Sequence, residues 1–206
     1  MGHPSDARFL VLHALRLRGF ADIEPVVATT GLAEPDVTGL LEQLGVEGLV
    51  HLREGRVHGW SLTASGREQH VKAVDGELDD AAARSAIETN YRWFLRLNRE
   101  MLAVCTDWQL RDGALNEHGD AAYDKTVVDR LRSLDDRVQP ICAALTEVLD
   151  RFGRYGARLA NAVDKVEAGE TEWFTKPLID SYHTVWFELH EDLLATLGIE
   201  RSKEEA

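Results

Sequence analysis

Residues 32–66 constrain the fold more than any other part of this sequence. The first half of the stretch has Pro35 at its start and apolar residues at helical spacing, which predicts an amphipathic helix that ends near Gly45 and Gly48. Two short runs rich in β-branched, aromatic and aliphatic residues follow, at 49–53 and 57–62. The Glu-Gly-Arg segment at 54–56 between them predicts a hairpin turn, and Thr63 suits the N-cap of a further helix.

The residues before this stretch predict two more helices. Residues 5–19 have an apolar stripe, with Ser5 or Asp6 as the cap and Gly19 as the stop signal, and residues 22–30 form a second short pattern. With a helix from residue 65 to about 74, the predicted order is three helices, a hairpin and a helix. We therefore expect an N-terminal domain of residues 1–74 and a joint at 75–76.

This succession resembles a winged helix-turn-helix domain. The resemblance depends on the run LLEQLGVEGLV (40–50), on a two-stranded hairpin with Gly55 at its tip, and on LTASGRE (62–68). Regulators of the multiple-antibiotic-resistance (MarR) and phenolic-acid (PadR) types are similar in this respect, and the likeness covers about the first third of the chain. It implies a mainly α fold that begins with a winged helix-turn-helix with a two-stranded wing, and it implies the function of a DNA-binding transcriptional regulator.

The rest of the chain predicts a C-terminal bundle of long helices, as a second domain of residues 75–206. Helical periodicity covers 77–109, 123–167 and 171–197, with a polar connection at 111–121 and a charged, frayed tail at 201–206. Pro140 should kink or split the second pattern, and Pro177 lies near the start of the third. Helices of this length either pack along their whole length or keep apolar surface for a second subunit, and we favour a homodimer.

The charge is distributed unevenly along the chain. The net charge of −13 argues against a protein that coats nucleic acid. Residues 1–72 contain 7 Lys and Arg against 9 Asp and Glu, whereas residues 73–206 contain 16 against 27. The N-terminal region is therefore nearly neutral, and the sequence permits DNA binding at that end alone.

Candidate DNA contacts lie on the third helix and around the hairpin. In a helix-turn-helix the third helix lies in the major groove, where Thr38 and Gln43 could address bases. This helix has no Lys or Arg, and four carboxylates share it. The basic candidates surround it: Arg16, Arg18, Arg53, Arg56, His58 and Arg67.

A second hypothesis explains the same residues without DNA. In this alternative the basic side chains form a solvated, partly ion-paired face. The acidic third helix then docks onto a protein partner, and the protein acts as a winged-helix adaptor that does not bind DNA.

Two arginine stripes on the long helices form a candidate effector site. Arg92, Arg96 and Arg99 share one helix face, and Arg154 and Arg158 share another. If the stripes met, they would bind an anionic effector, with Trp93 and Trp186 beside them. The alternatives are salt bridges to neighbouring carboxylates and, for the aromatic residues, ordinary bundle core.

No sequence motif indicates catalysis or a cofactor. The chain has no nucleophile elbow, phosphate-cradling glycine loop, metalloprotease helix or dinucleotide fingerprint, so we expect neither an enzyme nor a metal or cofactor site. Cys105 and Cys142 have no metal-type spacing and are predicted to be buried free thiols. Without a bilayer-length apolar run or a leader, we expect a cytoplasmic protein whose partners are double-stranded operator DNA, a second copy of the chain and a small effector, with no membrane.

Overall fold

The computed structural model of the chain describes residues 2–56 and 58–203 and is mainly helical. Its contacts divide the chain into two compact units. The terminal unit consists of His3–Arg84 with Glu191–Ala206, and the central unit consists of Ser85–His190 with Met1–Gly2. The sequence predicted a single boundary between residues 74 and 75, whereas the contacts group residues 191–203 with the N-terminal helices.

Three helices begin the terminal unit: α1 (Ala7–Arg18), α2 (Ile23–Thr30) and α3 (Glu34–Val46). The Asp6 carboxylate accepts a hydrogen bond from the Phe9 backbone N–H at 3.0 Å, so Asp6 rather than Ser5 caps α1. The prediction that this helix ends near Gly45 and Gly48 is confirmed, because α3 ends at Val46. The helix continues through Gly45, where a Cβ would lie 3.4 Å from the ring of Trp60, and the chain leaves it at Gly48 with φ of +73°.

The predicted hairpin is present. Strand β1 (Val50–Arg53) pairs antiparallel with β2 (Gly59–Leu62), with Val50 opposite Leu62 and Arg53 opposite Gly59. The connection is longer than the three-residue turn predicted, and Val57, which was expected to begin the second strand, lies outside the described residues. Ala21, between α1 and α2, exchanges two backbone hydrogen bonds with Trp60, at 3.0 and 2.7 Å.

The core of the terminal unit lies between these helices and one face of the hairpin. Val50 and Leu62 are buried on that face, and the indole of Trp60 packs against the same core. The buried apolar residues of this cluster are Val11, Leu12, Ala14, Leu15, Ala21, Val26, Val37, Leu41, Leu44, Val50 and Leu62.

Helix α4 (Ala64–Asp80) follows the hairpin and is longer than predicted. Thr63 caps it by accepting a hydrogen bond from the Gly66 N–H at 3.0 Å. The predicted joint at 75–76 lies inside this helix. The helix continues because Glu77 and Leu78 are buried, and the chain turns only at Ala82, where φ is +47°.

The remaining elements are long helices with short connections. Helix α5 (Arg84–Gln109) leads into a two-stranded turn of β3 (Leu110–Arg111) and β4 (Ala114–Leu115). Asp112 and Gly113 between the strands both have positive φ, 52° and 80°, as a tight hairpin requires, although a polar connection was all the sequence predicted. Then come α6 (Ala121–Val148), α7 (Gly153–Glu167), the short α8 (Glu172–Thr175) and α9 (Tyr182–Leu197).

The two prolines behave differently. Pro140 lies within α6 and does not split it. Pro140 is exposed, and so is Asp136, the residue whose carbonyl a proline four positions later leaves without an N–H partner. The break comes instead at Leu149, which is extended and buried, before a single 3-10 turn at Asp150–Phe152. Pro177 does end a helix, because Lys176 before it is held in an extended conformation.

The predicted tail is partly structured. Arg201–Lys203 form a 3-10 turn in which the Lys203 ammonium lies 2.9 Å from the Glu200 carboxylate, and residues 204–206 lie outside the described part of the chain.

Candidate nucleic-acid interface and arginine groove

The hairpin of the terminal unit has one polar face. Side chains alternate along β1, so His51 and Arg53 are exposed while Val50 is buried. Across the ladder they lie opposite Ser61 and Gly59, and Nδ1 of His51 is 3.3 Å from the Ser61 hydroxyl. The face of the hairpin that points away from the core is therefore hydrophilic, and it carries Arg53.

Three of the predicted DNA-contacting arginines have no charged partner. Arg16, Arg53 and Arg56 are exposed, and none makes an ion pair with another described residue. Their guanidinium groups thus keep their full set of donors for an external phosphate.

Two other predicted arginines are held by neutral acceptors. Nε of Arg18 donates to the Thr29 hydroxyl at 2.9 Å, and Nη1 of Arg67 donates to the Leu62 carbonyl oxygen at 3.0 Å. The second bond keeps the Arg67 side chain beside the end of β2. Both side chains are exposed.

His58, the remaining basic candidate, already has an acidic neighbour. Its Nδ1 lies 3.3 Å from a carboxylate oxygen of Asp22. The pKa of Asp22 is lowered, first by the hydrogen bond from the Ile23 N–H and then by His58. Because Asp22 occupies Nδ1 of His58, Nε2 is the ring nitrogen that remains for a phosphate.

The two predicted base-reading residues of α3 differ in availability. Gln43 is exposed, with its amide accessible to solvent. Thr38 is half-buried, and its hydroxyl donates to the Glu34 carbonyl oxygen within the helix at 2.9 Å. The Thr38 hydroxyl can therefore accept a hydrogen bond from an outside group but has no proton left to donate.

The carboxylates of α3 and its C-cap are mostly unpaired. Glu47 is the exception: Nη1 of Arg8 donates to its Oε1 at 2.6 Å, and this bond lowers the pKa of Glu47. The other three are exposed and make no ion pair within the described chain: Glu34, Asp36 and Glu42. This helix thus carries net negative charge on its exposed surface.

In the central unit, the predicted stripe on α7 is engaged in ion pairs. Arg158 donates from Nε and Nη2 to Asp180 at 2.9 and 2.7 Å, and from Nη1 to Glu188 at 2.8 Å. Arg154 donates to the same Glu188 oxygen at 3.2 Å. Burial would lower the pKa of Arg158, but the bonds to both carboxylates outweigh burial and raise it. For these two arginines the salt-bridge alternative describes the structure.

Trp186 is a core residue. It is only 3% exposed, its Nε1 donates to the Asn98 side-chain oxygen at 2.9 Å, and its ring stacks on Phe94 with centroids 4.8 Å apart. Neither Trp186 nor the arginines of α7 line the groove described next, so the structure does not bring these predicted effector residues together with those of α5.

A groove between α5 and α6 contains the other part of the predicted effector site. It encloses about 370 Å³ and is lined by Trp93, Arg96, Leu97, Glu100, Arg137 and Ile141. The Arg96 guanidinium lies 4.4 Å from the centroid of the Trp93 ring. Arg92 and Arg99, on the same helix, are exposed but do not line the groove.

The terminal unit contains a buried polar network that was not predicted from the sequence. Nδ1 of His13 lies 2.9 Å from Nε2 of His70, and Nε2 of His13 lies 2.9 Å from a carboxylate oxygen of Asp192. With Asp192 as a carboxylate, the pattern assigns an Nε2–H to His13, whose Nδ1 then accepts from the Nε2–H of His70. A polar residue at an inward position of an apolar run, as at 9–15 and 189–194, was the signal that could have revealed it.

The cysteines and the remaining histidines carry no metal-site geometry. Within the described residues, no group of three or more His, Cys, Asp or Glu side chains is placed to hold a metal ion. His118 instead bonds to Asp124, with Nδ1 and Oδ2 3.0 Å apart. Cys105 and Cys142 are buried and free, as predicted, and burial raises the pKa of each thiol to about 12.

No described helix is both long and apolar enough to cross a bilayer.

Comparisons with known proteins supply no relative from which a role could be transferred. No protein-family model matches the chain, and neither the curated proteins nor the solved structures with which it was compared give a significant match.

Proposed function

We propose that the protein is a dimeric, DNA-binding regulator of transcription whose terminal unit acts as a winged helix-turn-helix. The order α1, α2, α3, β1, β2 supports this proposal, as does the backbone pairing of Ala21 with Trp60, which adds a third extended segment to the hairpin. In this proposal, the central unit mediates dimerisation and binds a small effector.

One observation carries the proposal: an antiparallel hairpin with unpaired, exposed arginines beside a three-helix core. Arg53 and Arg56 lie on or next to the hairpin, and Arg16 lies in the last turn of α1. Arginines in such positions contact phosphates and place a protein on the duplex without reading its sequence. We therefore expect the hairpin and the end of α1 to provide most of the affinity.

The acidic α3 limits how the duplex is read. Glu34, Asp36 and Glu42 would face a groove bordered by phosphates, which is unfavourable, so base contacts would fall to Gln43 and the acceptor side of Thr38. Binding dominated by phosphate contacts weakens steeply as the salt concentration rises.

Fluorescence anisotropy with labelled duplexes tests the proposal. The full chain is titrated against the DNA upstream of its own gene and against a scrambled duplex, over a series of salt concentrations. The plot of log affinity against log salt has a negative slope. The double variant Arg53→Gln/Arg56→Gln should make that slope less steep by about 2, since two phosphate contacts are lost. Arg92→Gln/Arg99→Gln, which removes the same charge from exposed positions on α5, is the matched control and should leave the slope unchanged.

Two results would contradict the proposal. The first is an equal loss of affinity in both double variants, which would mean that only the net charge of the protein matters. The second is the absence of binding to any upstream duplex at low salt.

The unpaired carboxylates of α3 favour a second candidate, a winged-helix adaptor that contacts protein and not DNA. The triple variant Glu34→Gln/Asp36→Asn/Glu42→Gln separates the two functions. A DNA-binding protein should bind every duplex more tightly after the change, because repulsion from the phosphates is removed. If neither the wild type nor this variant binds a duplex at low salt, the adaptor hypothesis replaces the regulator.

A further inference from the structure

The exposed side of α5 is basic, although the chain as a whole has a net charge of −13. Arg92, Arg96 and Arg99 are spaced four and three residues apart, so they share one face of the helix, and all three are exposed. None of them makes an ion pair with another described residue. Because like charges at this spacing repel each other, an acidic partner that covered them would relieve a cost that the isolated chain bears.

An exposed tryptophan lies at the edge of these arginines. The Trp93 indole is 52% exposed, and the Arg96 guanidinium lies 4.4 Å from the centroid of its ring, which restricts both side chains. Tryptophan and arginine are the side chains that most often anchor contacts between proteins. The arginine face, as we call this surface, consists of Arg92, Trp93, Arg96 and Arg99.

The outer side of α3 is complementary to this surface in charge and in shape. Its acidic face consists of Asp36, Gly39, Glu42 and Val46, which follow one another at intervals of three and four residues and so lie on one side of the helix. Val46 is 92% exposed, and a Cβ added at Gly39 would have nothing within 4 Å. A bulky ring can therefore approach this helix closely, between two carboxylates that make no ion pair within the described part of the chain.

We propose that the arginine face of α5 docks onto the acidic face of α3 in a second copy of the chain. In this contact the Trp93 indole covers Gly39 and Val46, and the arginines pair with Asp36 and Glu42. Charge complementarity identifies the partner, because every copy carries both surfaces and neither surface is neutralised within the described residues of its own chain.

The contact is electrostatic and weak. Ion pairs between exposed side chains contribute little individually and are screened by salt, so copies associate through these faces only at high protein concentration and low ionic strength. It is a contact beyond the dimer of the proposed function, and it does not require the protein to bind DNA.

Sedimentation velocity of the full chain, from micromolar to near-millimolar concentration, tests the inference. At low salt the weight-average sedimentation coefficient should rise with concentration above that of the most dilute sample, and at high salt the rise should disappear. Intrinsic fluorescence gives a second measurement, because docking removes the exposed Trp93 indole from water.

An exchange of charges between the two faces is the decisive experiment. Arg92→Glu/Arg96→Glu and Asp36→Lys/Glu42→Lys should each weaken the association of the pure variant by at least about tenfold, because the two faces then carry the same sign of charge. An equimolar mixture of the two variants should associate again. In the mixture the changed faces attract each other, and so do the unchanged ones.

Two further variants separate this contact from an effect of net charge. Lys72→Glu/Lys125→Glu makes the same change of charge at exposed positions outside both faces and should associate as the wild type does. Trp93→Ala should weaken the association by about tenfold or more, because it removes the central apolar side chain. Circular dichroism confirms that every variant is folded.

Three outcomes would overturn the inference. They are a wild type whose sedimentation coefficient does not rise with concentration at low salt, a mixture of the charge-exchanged variants that associates no better than either variant alone, and an equal loss of association in the lysine control. Duplex binding is measured separately, so a failure of this contact leaves the proposed DNA-binding function standing, and the reverse also holds.

Discussion

Two glycines of α4 show how differently the same residue type can be used. A Cβ on Gly66 would lie 1.9 Å from the carbonyl oxygen of Leu49, whereas a Cβ on Gly76 would have nothing within 4 Å. The Leu49 carbonyl accepts a hydrogen bond from the Thr63 N–H at 3.0 Å, so it cannot move away cheaply. Gly66 therefore permits the start of α4 to approach the backbone before β1, while Gly76 only makes the helix more flexible.

This difference gives a stability prediction. Gly66→Ala should lower the free energy of unfolding by at least about 2 kcal/mol, because the backbone of α4 or of Leu49 must shift. Gly76→Ala should raise it by roughly 0.5–1 kcal/mol, because alanine is the better helix former. Urea unfolding followed by circular dichroism measures both. Equal stabilities for the two variants would show that the close approach at Gly66 does not exist.

Asp135 is a carboxylate in an unfavourable place. It is buried in the central unit, where it accepts hydrogen bonds from the Gln139 amide at 3.0 Å and the Tyr182 hydroxyl at 3.3 Å. Burial raises its pKa above the ordinary 3.8, and the two hydrogen bonds only partly offset this. The folded protein therefore binds this proton more tightly than the unfolded chain does.

The sign of the pH dependence follows from that shift. The contribution of Asp135 to stability is fully present below its unfolded pKa and is lost as the pH rises through its folded pKa. Asp135→Asn keeps an acceptor and stays neutral, so its stability relative to the wild type should be greater at pH 7 than at pH 4. Urea unfolding at both pH values checks this. The exposed neighbour Asp136→Asn is the control, and an equal pH effect in the two variants would contradict the assignment.

At the scale of elements, the buried histidines connect three helices of the terminal unit. His13 is on α1, His70 on α4 and Asp192 on the last part of α9. The stacked rings of His13 and His70, with centroids 5.2 Å apart, place a hydrogen-bonded polar chain inside an otherwise apolar contact. Each member satisfies the next, so the loss of one leaves a buried group without its partner.

Removing the carboxylate end of this chain should therefore be costly. We expect Asp192→Ala to lower the free energy of unfolding by about 1–3 kcal/mol, because the Nε2–H of His13 loses its acceptor in a buried site. Asp79→Ala, an exposed carboxylate of the same unit, should change it by less than about 0.5 kcal/mol. If thermal unfolding shows the two variants to be equally stable, the network does not contribute to the fold.

The elements also show where sequence patterns are reliable. The caps at Asp6 and Thr63 follow from local chemistry and lie where expected. Proline was less reliable as a break signal, since α6 passes through Pro140. Packing decided this case, because a helix continues when the residues on its buried face keep their contacts.

At the scale of the whole molecule, exposed apolar side chains support the proposed homodimer. Leu102 is 59% exposed and Phe187 is 47% exposed in the central unit, and a subunit interface would bury both side chains. Sedimentation equilibrium should give twice the mass of one chain. Leu102→Glu/Phe187→Glu should shift the protein to monomer, while Leu178→Glu, at a side chain that is already fully exposed, should not. A monomeric wild type would refute dimerisation.

The sequence by itself determined the local structure: helical periods, the caps at Asp6 and Thr63 and the presence of the hairpin, all of which depend on residues close together in the chain. Only the tertiary structure decided which charges are compensated and which side chains are buried. Arg158 is neutralised by Asp180, 22 residues away, Trp186 bonds to Asn98 across 88, and His13 meets Asp192 across 179. Such pairings follow from how helices pack, and no local pattern specifies them.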